Sequence, residues 1–193
     1  MTSYLATAGY PMLAFAVLIG ALGAPLPLSA VLAAAAALAR QGHLQLTALF
    51  VICVAAALAG DCLGYVIGRH GLARLPRAAR LRFPGRRYFG RFPLGVGLFG
   101  SMALLIFITR WAVTLPAPFV NVVAGARRYP WHRFLAADLT GEALWVALSL
   151  APGYLLGGLG PAGMAMAVAL CLVPLLVAGL ARTRLIPAAT AVM

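Results

Sequence analysis

The stretch PMLAFAVLIGALGAPLPLSAVLAAAAALA, residues 11–39, decides the fold. A membrane-spanning helix needs about 20 apolar residues, and this uncharged run is longer. Proline removes a backbone donor and clashes with the preceding turn, so one straight helix is excluded. Such a break at membrane depth is stable only where protein or a watery cavity satisfies the freed backbone groups. Helix-breaking and small residues interrupt the run near its middle: Gly20, Gly23, Pro25, Pro27 and Ser29.

The composition of the whole chain agrees with a membrane environment. Of its 193 residues, 64% are hydrophobic and 9% are charged, and the mean hydropathy is +1.00. A soluble domain carries about a quarter charged residues, so this chain lacks the polar surface to cover a globule in water. All 15 basic residues are arginine, and the net charge is +12. Because the arginines cluster between apolar runs, as in cytoplasmic loops, nucleic acid is not the expected partner.

Further apolar runs alternate with arginine-rich segments. The segment 69–91 holds eight arginines, and arginines return in 127–133 and 182–184. Each charged residue inside an apolar run is a candidate functional residue. The runs are 44–68 with Asp61, 92–125 with Arg110, 134–160 with Asp138 and Glu142, and the uncharged 161–181.

The chain contains an internal repeat. Pro25-Leu26-Pro27 precedes an apolar run ending in Gly64-Tyr65-Val66-Ile67-Gly68, and Pro116-Ala117-Pro118 precedes one ending in Gly153-Tyr154-Leu155-Leu156-Gly157. Each copy is therefore a Pro-x-Pro break, a turn and a spanning helix that closes with G-Y-x-x-G. Weak internal symmetry is typical of transporter folds. The alternative is two chance proline pairs in a chain rich in glycine, alanine and leucine.

The arginines predict the topology. The positive-inside rule makes the segment 69–91 cytoplasmic. For the arginines of 127–133 to lie on the same side, residues 92–125 must enter the membrane and return as a re-entrant hairpin. By repeat symmetry, residues 11–39 form a hairpin that enters from the outer face. A single bent helix over 11–39 is the alternative.

We therefore expect an all-α integral membrane protein with a single membrane domain over 1–193. It should be an inverted repeat of a re-entrant helical hairpin plus a transmembrane helix, with an extra C-terminal transmembrane helix. We expect a multi-pass protein of the inner (plasma) membrane, with the C-terminus cytoplasmic and no cleaved signal peptide. The parts are repeat 1 at about 11–68, the basic cytoplasmic segment 69–91, repeat 2 at about 92–160, and the C-terminal helix 161–181.

Ionisable residues at membrane depth cost roughly 2.5–3.5 kcal/mol to insert, so each should be functional or paired. Asp138 and Glu142 lie one turn apart on the same helix face. Two buried carboxylates this close are not ionised together, which suits proton carriage. Alternatively, Asp61 and Glu142 are structural partners of an arginine. For Asp138, five residues after Arg133, the favoured interpretation is an interfacial acid.

Arg110 is the candidate for head-group binding, since a guanidinium donates to a phosphate or carboxylate in two-pronged fashion. The alternative is a clamp that ties the hairpins together through Asp61 or Glu142. For Asn121, three residues after Pro118, backbone capping is favoured over head-group binding. The predicted head-group site comprises Arg110, Asn121, Pro25, Pro27, Pro116 and Pro118, and the predicted charge relay comprises Asp61, Glu142 and Asp138.

Other chemistries have no support in the sequence. The cysteines form no C-x-x-C pair, and the histidines lack metal-site spacing, so no metal site or disulfide framework is expected. The G-x-S-x-G, H-E-x-x-H and P-loop patterns do not occur. We expect no catalytic residue and no cofactor. Tyr129, Trp131 and Trp145 fall near run ends, which fits aromatic belts. The segment 69–91 is either a topology determinant or a binding segment for anionic head groups.

Taken in chain order, several motifs resemble the DedA family, also described by its VTT (SNARE-associated Golgi protein) domain. The similarity covers roughly residues 12–160. The motifs are Gly23-Ala24-Pro25-Leu26-Pro27, the stretch from Gly60-Asp61 to Gly68-Arg69, Phe107-Ile108-Thr109-Arg110-Trp111, Asn121 to Gly125, and Phe134 to Gly157 with Gly141-Glu142-Ala143-Leu144-Trp145.

The resemblance implies re-entrant hairpins and membrane lipid transport. Members of the family are similar to flippases or scramblases for phospholipids or the polyprenyl phosphate carrier, and are often proton-coupled. Asp61 and Arg110 match functional positions. Where many members have a glutamate flanking the first Pro-x-Pro, this chain has Gly20 and Ser29. Where many members have a second arginine, about six residues after the first, this chain has Leu115 or Pro116. Proton coupling would then have to use Asp138 or Glu142.

The leading hypothesis is a lipid flippase or scramblase, not an enzyme, whose partner is an anionic lipid head group. A small-solute or ion transporter is one alternative. A structural or assembly protein, whose charges only tie hairpins together, is another. The sequence leaves open whether the chain forms a homo-oligomer.

The predicted topology can be tested by labelling. Single cysteines placed in 69–91 and in 126–133 should both react with an impermeant maleimide from the cytoplasmic side only. A cysteine placed in 40–45 should react from the outside. Labelling of 126–133 from outside would remove the re-entrant hairpin at 92–125.

Overall fold

The computed structural model describes residues 2–71, 102–111 and 117–173, and these residues form helices and turns with no strand. The all-α prediction is confirmed for this part of the chain. The elements are α1 (Thr2–Ala21), α2 (Leu28–Arg40), α3 (Leu46–Val66) with a π-helical extension (Ile67–Gly71), α4 (Met102–Trp111), α5 (Ala117–Ala126), α6 (Trp131–Leu156) with a 3-10 turn (Gly157–Leu159), and α7 over 160–173.

The predicted break in residues 11–39 is present. Helix α1 ends at Ala21 and α2 begins at Leu28, and Pro27 is the N-cap residue of α2. Gly23 has φ 108°, a conformation that residues with a side chain rarely adopt. The broken segment thus replaces one long helix by two short ones.

In the part of the chain that the structure describes, two helical stretches are long and apolar enough to cross a membrane, namely Leu46–Gly71 with 26 residues and Trp131–Val173 with 43. The second stretch includes the 3-10 turn and Gly160, whose φ of 69° marks the junction of α6 and α7. The remaining apolar helices, Ala8–Ala21, Leu28–Arg40 and Ala117–Ala126, have 10–17 residues. A single crossing needs about 20 residues, so α2 with 13 residues and α5 with 10 are too short to span alone, whereas α1 as a whole has 20.

The chain divides into two compact units, and the first comprises Met1–Ala8, Pro27–Leu49 and Ala147–Met193. In it, α2 packs against the C-terminal end of α6. A Cβ on Gly153 would overlap the Ala33 carbonyl, and one on Gly157 would lie 2.7 Å from Ala37 Cα. At the end of this contact, the Arg40 guanidinium lies 5.3 Å from the centre of the Tyr154 ring.

The second unit comprises Gly9–Leu26 and Phe50–Val146. In it, the end of α3 packs against α5. A Cβ on Gly68 would overlap the Val122 carbonyl, and one on Gly125 would overlap the Tyr65 carbonyl. A buried apolar cluster surrounds this contact and consists of Tyr65, Leu105, Ile106, Val120, Ala124 and Phe134.

The two G-Y-x-x-G motifs play the same packing role, each within its own unit. In the first motif, Gly68 admits the backbone of α5 and Gly64 admits the side chain of Asn121, whereas both glycines of the second motif admit the backbone of α2. Both partner helices follow a Pro-x-Pro sequence, and each partner belongs to the other sequence copy. Each motif tyrosine also lies under an arginine, Arg69 for Tyr65 and Arg40 for Tyr154. The repeat noted in the sequence thus has a common packing geometry.

Several sequence predictions fall outside the described residues. These are the basic segment beyond Gly71, the first part of 92–125, residues 112–116 with Pro116, residues 174–181 of the C-terminal helix, and the arginines at 182 and 184. The re-entrant hairpins, the inverted repeat and the single-domain assignment stay predictions.

The contact of α3 with α5 gives a stability prediction. Gly68→Ala places a methyl group against the Val122 carbonyl, so the helices must separate. Overpacking of this kind typically costs about 1–3 kcal/mol, so the melting temperature in detergent should fall. Gly71→Ala is the matched control, because its nearest atom would be the Ile67 side chain at 3.6 Å. Equal melting temperatures for the two variants would contradict the close approach.

Candidate functional site

Arg110 is buried at the end of α4, in the second unit, among polar residues from neighbouring helices. Asp61 comes from α3, Asn121 from α5, and Asp138 and Glu142 from α6. All of them are buried. The sequence predicted the three acids as a charge relay and, as one alternative, a pair of Arg110 with Asp61 or Glu142. The structure brings all four charged residues together with Asn121 into one group, here called the charge cluster.

The guanidinium of Arg110 reaches all three carboxylates. Nη1 lies 3.0 Å from Asp61 Oδ1, and Nη2 lies 2.5 Å from Asp138 Oδ1. Nε lies 3.7 Å from Glu142 Oε1, which is too long for a strong hydrogen bond. Arg110 is thus most tightly held by the two aspartates, and Glu142 is its loosest partner.

Asn121 joins the arginine to Asp61. Its Nδ2 donates to Asp61 Oδ1 at 2.6 Å, and its Oδ1 accepts from Arg110 Nη2. The favoured capping role is therefore wrong. Asn121 lies in the middle of α5, where the backbone donors are already used within the helix.

Asp138 is not the interfacial acid that the sequence analysis favoured. Its side chain is fully buried and contacts Arg110. The prediction counted residues from Arg133, but α6 begins at Trp131 and Asp138 is two turns inside it. Because Glu142 is four residues further on, both carboxylates face the same side, and that side is the interior.

The charge cluster is not balanced when every group is ionised. Among the described residues, three carboxylates face one guanidinium, which leaves two negative charges uncompensated within that part of the chain. Asp61 Oδ2 and both carboxylate oxygens of Asp138 also have no hydrogen-bond partner, although Oδ1 of Asp138 is ion-paired with Arg110. Buried charge without compensation is strongly unfavourable. With all three acids ionised, the described residues alone do not neutralise the charge cluster.

The same three acids are the ones that could hold a metal among the described residues. One oxygen from each of Asp61, Asp138 and Glu142 lies within 4.8 Å of the others. The Arg110 guanidinium contacts all three residues. A metal ion would have to compete with that guanidinium for the same carboxylates, whereas a proton on a free oxygen would not.

Glycines and the end of α1 make room for the charge cluster. A Cβ on Gly141 would lie 2.7 Å from Arg110 Cγ, and one on Gly60 would lie 2.6 Å from Ala21 Cβ. A Cβ on Gly23 would lie 3.4 Å from Pro118 Cγ. The start of the α1–α2 break thus touches the start of α5. Of the other predicted head-group prolines, Pro25 and Pro27 are exposed within the break, and Pro116 lies outside the described residues.

Comparison with known proteins gives the family. The family model of the VTT domain matches residues 4–155. The chain belongs to the VTT domain (DedA) family.

Relatives of this VTT domain protein are membrane proteins by name. An uncharacterized membrane protein of Mycobacterium bovis and one of Mycobacterium tuberculosis are each 36% identical over 72% of the chain. An uncharacterized membrane protein of Synechocystis is 29% identical over 77% of the chain and 67% of its own length. The match spans 65% of the length of the mycobacterial relatives. No solved structure matches the chain. With the two long apolar helices, these matches identify this VTT domain chain as a membrane protein.

Tyr65 is a residue whose contacts the sequence analysis missed. Its hydroxyl donates to the Tyr129 carbonyl at 2.5 Å and accepts from Arg69 Nη1 at 2.8 Å. Its ring packs on Trp131 and Phe134, with centroids 5.1 and 4.7 Å away. The available signal was the tyrosine shared by the two G-Y-x-x-G motifs.

If Arg110 compensates the buried acids of this VTT domain, removing the acids should offset the loss of stability caused by removing Arg110. Arg110→Met leaves three buried acids without a cation, and breaking a buried pair costs about 3–5 kcal/mol. Adding Asp61→Asn, Asp138→Asn and Glu142→Gln should restore much of the lost melting temperature, since no charge is then left buried. Arg127→Met, on the exposed turn after α5, should have little effect. If Arg110→Met melts like the unmodified protein, Arg110 does not compensate the acids.

Proposed function

We propose that this VTT domain protein is a lipid transporter, a flippase or scramblase that moves an anionic head group through the charge cluster. One observation carries the proposal: Arg110, a good phosphate ligand, is buried among three carboxylates that outnumber it. Such a group can take up protons and then bind an anion in place of a carboxylate. The proposed activity is transport without covalent chemistry, so no enzyme function is assigned.

The first step of the proposed mechanism is proton binding. With all groups ionised, the charge cluster carries two uncompensated negative charges in a buried site. A proton on one free aspartate oxygen and another on Glu142 would neutralise it without displacing Arg110. Glu142 is the loosest partner of Arg110, at 3.7 Å, so its protonation costs the least attraction. This acid takes the place of the glutamate that many family members have beside the first Pro-x-Pro.

The second step is the exchange of a carboxylate for a phosphate. The donors that hold the aspartates are the forked N–H groups that bind phosphate in two-pronged fashion. When one aspartate is protonated, its attraction for Arg110 falls, and a phosphate oxygen can take its place. Protons and the anionic head group are thus bound together, and by linkage each raises the affinity for the other.

The broken helix gives the head group a route. The end of α1 touches Gly60, beside Asp61, and Gly23 touches Pro118, three residues before Asn121. Backbone freed from a helix at membrane depth needs polar surroundings. The segment 22–27 therefore lies where a hydrated path to Arg110 would run. The exposed Pro25 and Pro27 belong to this segment.

The proposed topology keeps the re-entrant hairpins and the inverted repeat. Helices α1 with α2, and α4 with α5, are the two hairpins, and the long stretches beginning with α3 and α6 are the crossings. The short apolar helices α2 and α5, with 13 and 10 residues, suit hairpin arms. The shared packing of the two G-Y-x-x-G motifs supports a repeat. We place the protein in the plasma membrane as a multi-pass protein, with 69–91 and the C-terminus in the cytoplasm.

Transport of labelled lipid tests the proposal. The purified protein in liposomes should move a fluorescent anionic phospholipid between leaflets, and faster at lower pH, because protons must reach the acids before phosphate binds. Arg110→Lys should lose much of this rate, since lysine lacks the planar fork. Glu142→Gln should weaken the pH dependence, since one of the two proton-binding acids is lost, and the variant should still fold. Thr140→Ala is the control, because Thr140 lies on the exposed face of α6.

The alternatives give different results. A structural protein would show no transport above empty liposomes, although Arg110→Ala would be unstable. A small-solute or ion transporter would move an ion or solute but not the lipid. Well-folded Arg110→Ala protein with unchanged lipid transport would remove Arg110 from the proposed binding site.

A further inference from the structure

A second group of basic residues lies on the surface of the second unit, away from the buried charge cluster. The residues come from three places: the π-helical extension of α3, the turn after α5, and the first turn of α6. All of them are exposed. We call this group the basic collar, and it comprises Arg69, His70, Arg127, Arg128, His132 and Arg133.

The basic collar is held in place by contacts between its two segments. A Cβ on Gly125 would lie 2.9 Å from the Arg69 backbone nitrogen. The Tyr65 hydroxyl links Arg69 Nη1, at 2.8 Å, to the Tyr129 carbonyl, at 2.5 Å. The Arg69 guanidinium also lies 6.0 Å from the centre of the Tyr65 ring. The two basic segments therefore form one surface.

Two backbone features add to this ordering. The α3 helix ends in a π-helical turn, Ile67–Gly71, which carries Arg69 and His70, and π-turns are frequent at functional sites. Arg128 has φ 54°, which is unfavourable for a residue with a long side chain. A topology determinant needs positive charge but no fixed geometry. The fixed backbone of the basic collar points to a ligand.

The chain cannot neutralise the basic collar itself. Its acids are Asp61, Asp138 and Glu142, and all three are buried around Arg110. No acid is left for any arginine on the surface. The counter-charge must come from outside the chain.

The position of the basic collar selects the kind of counter-charge. Trp131 lies within it and is 41% exposed, while its ring packs against Tyr65 at 5.1 Å. Exposed tryptophan beside arginine at the end of apolar helices is typical of the membrane–water interface. The basic collar lies at the end of one apolar stretch, Leu46–Gly71, and the start of the other, Trp131–Val173. The anions present at that depth are lipid phosphates.

We propose that the basic collar is a docking surface that binds the phosphate head groups of anionic lipids at the membrane surface. It would hold such lipids in the first shell around the protein, with arginine on the phosphate and Trp131 at the level of the glycerol. The basic collar would bind lipid whether or not the protein transports it.

Fluorescence quenching in nanodiscs tests the docking surface. Trp111→Phe and Trp145→Phe leave Trp131 as the single tryptophan of the chain. Dibrominated phosphatidylglycerol should quench Trp131 several-fold more effectively than dibrominated phosphatidylcholine at the same mole fraction. The difference should shrink as salt is raised, because salt screens exposed charges.

The variant Arg127→Gln/Arg128→Asn/Arg133→Gln should abolish the preference for phosphatidylglycerol. Asparagine is chosen at 128 because it tolerates a positive φ. Arg40→Gln, an exposed arginine of the first unit, is the matched control and should keep the preference. If the triple variant melts early, Arg133→Gln alone should reduce the preference about fivefold or less, since one basic residue near an anionic surface contributes about that factor.

Three outcomes would overturn the docking surface. The first is equal quenching by the two lipids in the unmodified protein. The second is a preference that survives the triple variant, which would place the anion site elsewhere. The third is loss of the preference in Arg40→Gln, which would indicate a general charge effect.

If inorganic phosphate removes the preference while sodium chloride of equal ionic strength does not, the basic collar recognises the phosphate group itself.

Discussion

A guanidinium enclosed by three carboxylates is the interaction on which the second unit depends. Helices α3, α4, α5 and α6 each supply a group to it, so the four helices cannot be separated without exposing a buried charge. The cost of an unpaired buried charge is several kcal/mol, a large part of the stability of a typical domain. The charge cluster therefore fixes which faces of these helices point inward.

The same interaction is unbalanced, and the imbalance links structure to function. A cluster with equal numbers of acids and bases would be a plain structural clamp. Here the acids outnumber the base, and aspartate oxygens remain without hydrogen-bond partners. In the proposed mechanism, this group takes up protons and exchanges an acid for another anion. The lipid-transport proposal rests on this property together with membership of the VTT domain family.

Small residues and helix breaks provide the space that the charges require. Gly141 lies against the side chain of Arg110, and Gly60 lies against the end of α1. Larger residues there would push the helices apart and lengthen the ion pairs. The helix break at 22–27 brings the end of α1 beside Asp61 and the start of α5. Backbone and charge are thus arranged together, as expected where irregular backbone lies at membrane depth.

Much of this arrangement could be predicted from the sequence, and the reasons for the failures are physical. The break after Ala21, the apolar runs and the selection of Asp61, Arg110 and Glu142 as candidates follow from local composition, since charge and proline are rare in such runs. The burial of Asp138 and the role of Asn121 do not. Distance from a loop is known from the sequence, but the inward face of a helix is set by its neighbours. For the residues between 71 and 102, the cytoplasmic segment and the start of the re-entrant hairpin stay predictions.

The central claim is that protons and an anionic head group are bound together at the charge cluster. The most direct measurement is proton exchange on lipid binding, followed with a pH indicator in weakly buffered detergent solution as a short-chain anionic phospholipid is added. The account predicts net proton uptake by the protein, reduced in Glu142→Gln and absent in Arg110→Ala. The account would be contradicted if the lipid bound with the same affinity at every pH and its binding caused no proton uptake.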